Sequence, residues 1–159
     1  MNKMALLLIT LLMTGCASFQ ASIPADYSGP TATIKDSYSD HQGSTAHFYV
    51  MTNIYGKLIE DSSYRTRVIN SGRGFNMTPQ MVSRQVTVEP HLFTIMGFVQ
   101  FATDGQAMFG DLMLVKKTIE LTPVAGETYT VNGKLATKGS DVWLEDTKGN
   151  KFTAELTTK

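Results

Sequence analysis

Three shortages narrow the field before any motif is read. A single cysteine, Cys16, among 159 residues excludes an internal disulfide framework and a cysteine-based metal site. An excess of charge of one sign is also missing, because 14 Lys and Arg balance 14 Asp and Glu. Nucleic-acid binding rests on a basic footprint, so nucleic acid is not expected as a partner. Long hydrophobic runs are missing too: the most apolar stretch, Met4 to Met13, is about half the roughly twenty residues that a membrane-spanning helix needs. With 42% apolar and 18% charged residues, the composition is nonetheless that of a folding chain.

What is present begins with an address. Residues 1–18 read MNKMALLLITLLMTGCAS, with Lys3 ahead of the apolar run and the small residues Thr14 and Gly15 ahead of Cys16. That order is a secretory signal layout, and the run is a removable signal core, not a permanent span. The remainder is one domain's worth of chain, enough to bury roughly two thirds of its unfolded surface without staples. Met13-Thr14-Gly15-Cys16 resembles the bacterial lipobox, which implies cleavage before Cys16 and a diacylglycerol on its thiol. An unpaired thiol in an oxidising compartment is a liability, and lipidation removes it. Two or more acyl chains, at about 0.8 kcal/mol per buried CH₂, make a durable membrane anchor. The similarity to lipoproteins of Gram-negative bacteria further implies the outer membrane, because Ala17 and not Asp follows Cys16; that residue leaves the side of the membrane open, and the periplasmic side is the one expected over the surface.

The expected organisation is a signal peptide over 1–15, a lipidated Cys16 with a flexible tether over 16–30, and a folded domain over 31–159. The tether is small and polar with two prolines, Pro24 and Pro30. From Thr31 onward no helical period of useful length is visible. Short runs rich in Thr, Val, Ile, Phe and Tyr alternate instead with Gly, Asn, Asp and Pro. Strands are expected near 31–37, 46–54, 64–69, 84–89, 91–102, 112–121, 128–136, 140–146 and 151–157. In TYTVNGKLA, Tyr129, Val131, Gly133 and Leu135 share one face, as in a half-buried strand. Gly149 and Asn150 supply a tight turn before Lys151, so the last three strands should form a meander. His91 to Ala102 is apolar on both faces, as a central covered strand would be. Residues 108–113 fit a short helix or a bulged strand equally well. The whole reads as all-β, a single antiparallel β-sandwich or a barrel.

Five segments, ATIKDS (32–37), IYGKLI (54–59), VEPHLFTI (88–95), TPVAGETYTVNGKL (122–135) and DVWLED (141–146), resemble a family of gamma-proteobacterial envelope lipoproteins with a PEGA-like domain. Glu89-Pro90-His91 stands where that family has a Pro-Gly-Lys-His turn, without its Gly. Ala125-Gly126-Glu127-Thr128-Tyr129 matches the later Ala-Gly-Lys-x-Tyr element. The resemblance implies a transthyretin-like or immunoglobulin-like sandwich and brings no activity with it.

Signatures of chemistry are sparse. No G-x-S-x-G elbow occurs, so no catalytic residue is nominated and an enzyme is not expected. His41, His47 and His91 lack metal-ligand spacing, and Asp141, Glu145 and Asp146 around Trp143 lack the alternation of a calcium loop. No metal or cofactor is expected. The segment that stands out is Tyr64 to Arg84, which holds every arginine of the chain, Arg65, Arg67, Arg73 and Arg84, and no acid. Interspersed are Gly72, Gly74, Phe75, Met77, Pro79 and Met81. Forked guanidinium groups suit carboxylate and phosphate, and loops on a rigid sheet are common binding sites. The four arginines are thus the expected contact residues for an envelope protein or an anionic glycan. The leading expectation is a non-enzymatic, lipid-anchored interaction module of the cell envelope. The alternative is a carrier of a small lipid-like ligand in a barrel or sandwich cavity.

Overall fold

The computed structural model describes residues 18–153. Cys16 and the residues after 153, including the end of the last expected strand, lie outside them. Among the described residues, ten strands and two helices follow one another as β1 (Thr31–Lys35), β2 (Ser37–Ser39), β3 (Thr45–Ile54), β4 (Lys57–Leu58), α1 (Ser62–Asn70), β5 (Ser83–Thr87), β6 (His91–Phe101), α2 (Asp104–Ala107), β7 (Leu114–Leu121), β8 (Thr128–Lys134), β9 (Asp141–Asp146) and β10 (Lys151–Phe152). The all-β expectation holds, with two helical insertions that it did not contain.

The strands form two sheets. The first has the order β10-β9-β8-β1-β5, and the second β2-β3-β6-β7 with β4 paired to β3. All pairings are antiparallel except β1 with β8, where Thr33 faces Thr128 and Ile34 faces Tyr129. The expected meander is β8, β9 and β10, turning at Gly149 with φ of 84°. The expected central strand is β6, between β3 and β7. Alternation sends Ala32 and Ile34, Tyr49 and Met51, Phe93 and Ile95, Tyr129 and Val131, and Val142 and Leu144 into one apolar cluster drawn from both sheets.

Strand β3 is buried on both faces. Its other side, Ala46, Phe48 and Val50, packs with Met77, Met81, Met96 and Phe98 in a second cluster. The cover over that side comes from the segment after α1, which is therefore part of the fold and not a free loop.

Between β1 and β2 stands one residue, Asp36, where the chain crosses from the first sheet to the second. Corners of this kind need their backbone held. Here Asp36 N–H donates to the Val82 carbonyl at 3.0 Å, and the buried carboxylate ties together four parts of the chain, as described below.

The strand expected at 64–69 is instead helix α1. Asp61 caps it, its Oδ1 accepting from the backbone N–H groups of Ser63 at 2.8 Å and Tyr64 at 3.1 Å. The β-branched residues Thr66, Val68 and Ile69 favour a strand, but the cap and the contacts of the inner helix face decide for the helix.

The two sheets are also joined at their rim. Lys117 of β7 donates to Asp141 of β9 at 2.5 Å, and this bond is the main cause holding the Asp141 carboxyl below its usual range. A lowered folded pKa stabilises the fold above the unfolded Asp value of about 3.9, and that contribution disappears as pH falls below it. Both groups are partly exposed, so the expected size is under about 1 kcal/mol. Lys117→Met should therefore lower the urea midpoint near neutral pH and leave it unchanged near pH 2. An equal difference at both pH values would disprove the assignment. Nearby, hydrogen bonds also lower Glu127 (from Thr147), Glu145 (from the Trp143 indole) and Asp146 (from Asn150). The acids around Trp143 thus have partners of their own.

Candidate functional site

Helix α1 turns its polar residues inward. Ser62, Thr66 and Asn70, spaced by four, are buried and line up against the returning chain. Ser62 Oγ accepts from Val82 N–H at 2.7 Å, and Thr66 Oγ1 accepts from Gln80 N–H at 2.8 Å. The Asn70 amide donates to the Thr78 carbonyl and accepts from the Thr78 N–H, each at 2.9 Å. These bonds fasten residues 78–82 alongside the helix and satisfy backbone groups that have no sheet partner.

At the C-terminal end of α1 the chain turns through Gly72 (φ 80°) and Gly74 (φ 65°), conformations that a side chain rarely adopts. A cleft of about 660 Å³ opens there between the helix end, this glycine turn and the end of β6. Arg67, Asn70 and Thr66 line one wall, and Gln100, Phe101 and Thr103 the other. Gln100 is buried. Its amide nitrogen donates to the Ser63 carbonyl at 3.3 Å, while its Oε1 has no partner among the described residues. Next to the cleft, and sharing Phe101 and Thr103 with it, runs an open apolar groove of about 830 Å³ lined by Phe75 and Phe109. Phe75 is 69% exposed and Phe109 91%. Large apolar side chains set out in water at one end of a domain mark contact surfaces.

The four arginines expected to act together are divided by the fold. Arg67 lines the cleft. Arg73 stands exposed on the glycine turn, its N–H bonded to the Asn70 carbonyl at 3.0 Å. Arg65 lies on the outer side of α1 with its Nε 3.0 Å from Glu60. Arg84 is not at the surface: it is buried in β5, and its guanidinium makes a fork of bonds at 2.8 and 2.7 Å to Asp36. The charge of the segment is thus partly neutralised by acids outside it. The surface contribution reduces to Arg67 and Arg73, with Arg65 half-engaged.

The histidines stay apart. His47 lies 3.0 Å from Asp40, His41 bonds the Met77 carbonyl, and His91 is buried against Thr87. In the β3–β6 register His47 faces Val99, which at about 3.3 Å per residue is some 26 Å along β6 from His91. Residues 18–27, expected as tether, lie on the domain instead. Gln20 N–H donates to the Leu58 carbonyl at 2.8 Å, and residues from Gln20 to Tyr27 wall a cavity of about 410 Å³ with Tyr55 and His91.

Sequence patterning missed Gln100 and Phe109 as site residues, whereas Phe75 lies in the arginine segment that it singled out. For Phe109 the one visible signal was the apolar stretch 108–113, which fits a helix and a bulged strand equally well; Gln100 gave none. No helix among the described residues is long and apolar enough to cross a membrane. No protein-family model matches the chain, and neither does any curated protein or solved structure.

Proposed function

We propose that the chain is a lipid-anchored, non-enzymatic binding module of the bacterial cell envelope, with its two sheets arranged as a transthyretin-like or immunoglobulin-like sandwich and the cleft beyond α1 as its working site. The cleft carries this reading: it is large enough for a small ligand and sets one guanidinium beside amide, hydroxyl and aromatic groups. Arg67, with Arg73 exposed on the adjoining glycine turn, suits a carboxylate or phosphate. The unpartnered Oε1 of Gln100 suits a hydroxyl, and Phe101 offers a flat apolar face. That combination fits an anionic glycan of the envelope. The apolar groove lined by Phe75 and Phe109 favours a second ligand, a small lipid-like molecule. Such a molecule would sit in the groove, since the space between the sheets is filled by Tyr49, Phe93, Ile95 and Tyr129.

Calorimetric titration of the purified protein with muropeptides and with lipopolysaccharide-derived oligosaccharide tests the reading. The native protein is expected to bind one of them, and Arg67→Gln with Arg73→Gln to lose roughly 1.5–3 kcal/mol, tenfold or more in affinity, as for lost hydrogen bonds to a charged group. Arg84 stays out of the set because its removal would break a buried ion pair and confuse binding with unfolding. Equal affinity in both forms would remove the cleft from consideration. A lipid found by mass spectrometry in the native protein, with no glycan binding, would favour the groove.

A further inference from the structure

Helix α1 is amphipathic in the reverse sense. Its buried stripe is Ser62, Thr66 and Asn70, whereas Tyr64, Val68 and Ile69 point outward at 47%, 55% and 43% exposure. A helix resting against a core and facing water shows the opposite arrangement. Arg65 and Arg67 are exposed on the same helix, and Arg73 follows just beyond its end. At about 100° per residue Arg65 and Arg67 fall on opposite flanks of the stripe formed by Tyr64 and Val68, and an apolar outer stripe with a cation on either side is what an interfacial helix presents to a charged bilayer.

The N-terminal segment leads to this face. The Phe19 ring packs edge-on against Tyr64, with centroids 4.6 Å apart at 66°. The neighbouring Gln20 is bonded to Leu58, which is itself exposed. Cys16 stands three residues before Phe19, and three residues of extended chain reach at most about 10 Å. A protein seated between this face and a bilayer holding the acyl chains of Cys16 would have to fit in that gap, and a single helix is already about 10–12 Å across.

We propose that the outer face of α1, with Phe19 and Leu58 at its edge, lies directly on an anionic bilayer: the apolar side chains enter the headgroup boundary and the arginines meet lipid phosphates. This rests on the lipid anchor at Cys16 proposed above. The domain is then held against the membrane in one orientation, with Arg67 at both the bilayer surface and the cleft wall.

The test uses the native lipoprotein reconstituted in vesicles of phosphatidylethanolamine and phosphatidylglycerol. With Cys16 lipidated, a second thiol is the sole attachment point for a spin label, placed in Val68→Cys or, as a control on the β9–β10 turn, in Lys148→Cys. Both positions are exposed, so neither label displaces packed atoms. The ratio of collisions with dissolved oxygen to collisions with an aqueous nickel chelate is expected to be roughly tenfold higher at Val68→Cys, as burial by about 5–10 Å in the boundary implies. It should fall in vesicles of phosphatidylcholine alone. Equal, water-like ratios at both positions would overturn the docking. A Val68→Cys label shielded from both reagents would also overturn it, in favour of a covering protein. The mass of the N-terminal peptide reports the anchor separately: an unmodified Cys16 overturns the anchor and the docking with it, whereas a lipidated Cys16 with a water-exposed label overturns the docking alone.

Discussion

Arg84→Ala is expected to destabilise the fold by about 3–5 kcal/mol, the cost of leaving a buried charge without its partner, which for a domain of this size lowers Tm by roughly 10–20 °C. The reason is the corner at Asp36. Its Oδ1 accepts from Arg84 and from the Met51 N–H at 3.0 Å, and its Oδ2 accepts from Arg84, from Ser62 N–H at 2.9 Å and from Ser62 Oγ at 2.8 Å. Arg84 also donates to the Glu60 carbonyl at 3.2 Å. One carboxylate thus joins the crossing between the sheets to β3, to the start of α1 and to β5. Without Arg84, the remaining donors are too few to compensate an ion held away from water. Arg65→Ala is the control, since its pairing with Glu60 is half-exposed and worth under about 1 kcal/mol. Thermal and urea unfolding of the two variants should differ severalfold in effect. Similar, small effects would mean that the corner does not depend on the pair.

Gly133→Ala is expected to cost about 1–3 kcal/mol, as overpacking does, and Gly133→Val more. The Tyr49 ring lies between the backbones of two glycines, Gly97 beside it in its own sheet and Gly133 across in the other. A Cβ on Gly133 would fall on ring carbons Cδ1 and Cε1 of Tyr49 and come within 2.7 Å of the Asp141 carbonyl. A Cβ on Gly97 would stand 3.1 Å from Tyr49 and from Val115, so Gly97→Ala should be milder. Shortening the ring in Tyr49→Leu with Gly133→Ala should recover part of the loss, seen as coupling in the urea midpoints of the double-mutant cycle. Additive effects would show that the clash is relieved elsewhere.

Period-two alternation made most strands legible. The alternation of Tyr129, Val131 and Leu135 and the Gly149 turn translate as a strand pattern requires, whereas the doubly apolar run of β6 is buried at Phe93 and Ile95, half-buried at Met96 and Phe98, and exposed at Leu92. Helix α1 escaped because hydrophobic periodicity assumes that apolar residues face inward, whereas here Ser62, Thr66 and Asn70 do. Asp61 ahead of two serines was the available helix-start signal. Strands β2 and β4, with three and two residues, are too short to carry any period. Of the arginine set, composition located the segment but not its division. The partner of Arg84 lies far back in the chain at Asp36, and no local count of charge reveals a bond of that range. The cleft was legible only through Arg67 and the glycines, since its far wall comes from β6 and the turn after it.

The parallel pairing of β1 with β8 bears on when this chain acquires its shape. Thr33 is matched by Thr128, so the first strand has one side unfilled until nearly the whole chain is present. Contacts between residues so distant in sequence make folding slow, on the order of milliseconds to seconds for β-rich topologies. For a chain that crosses a membrane unfolded on its way to the envelope, as the proposed function would have it do, a first strand that waits for the eighth would delay premature structure on the near side and leave completion of the fold to the far side.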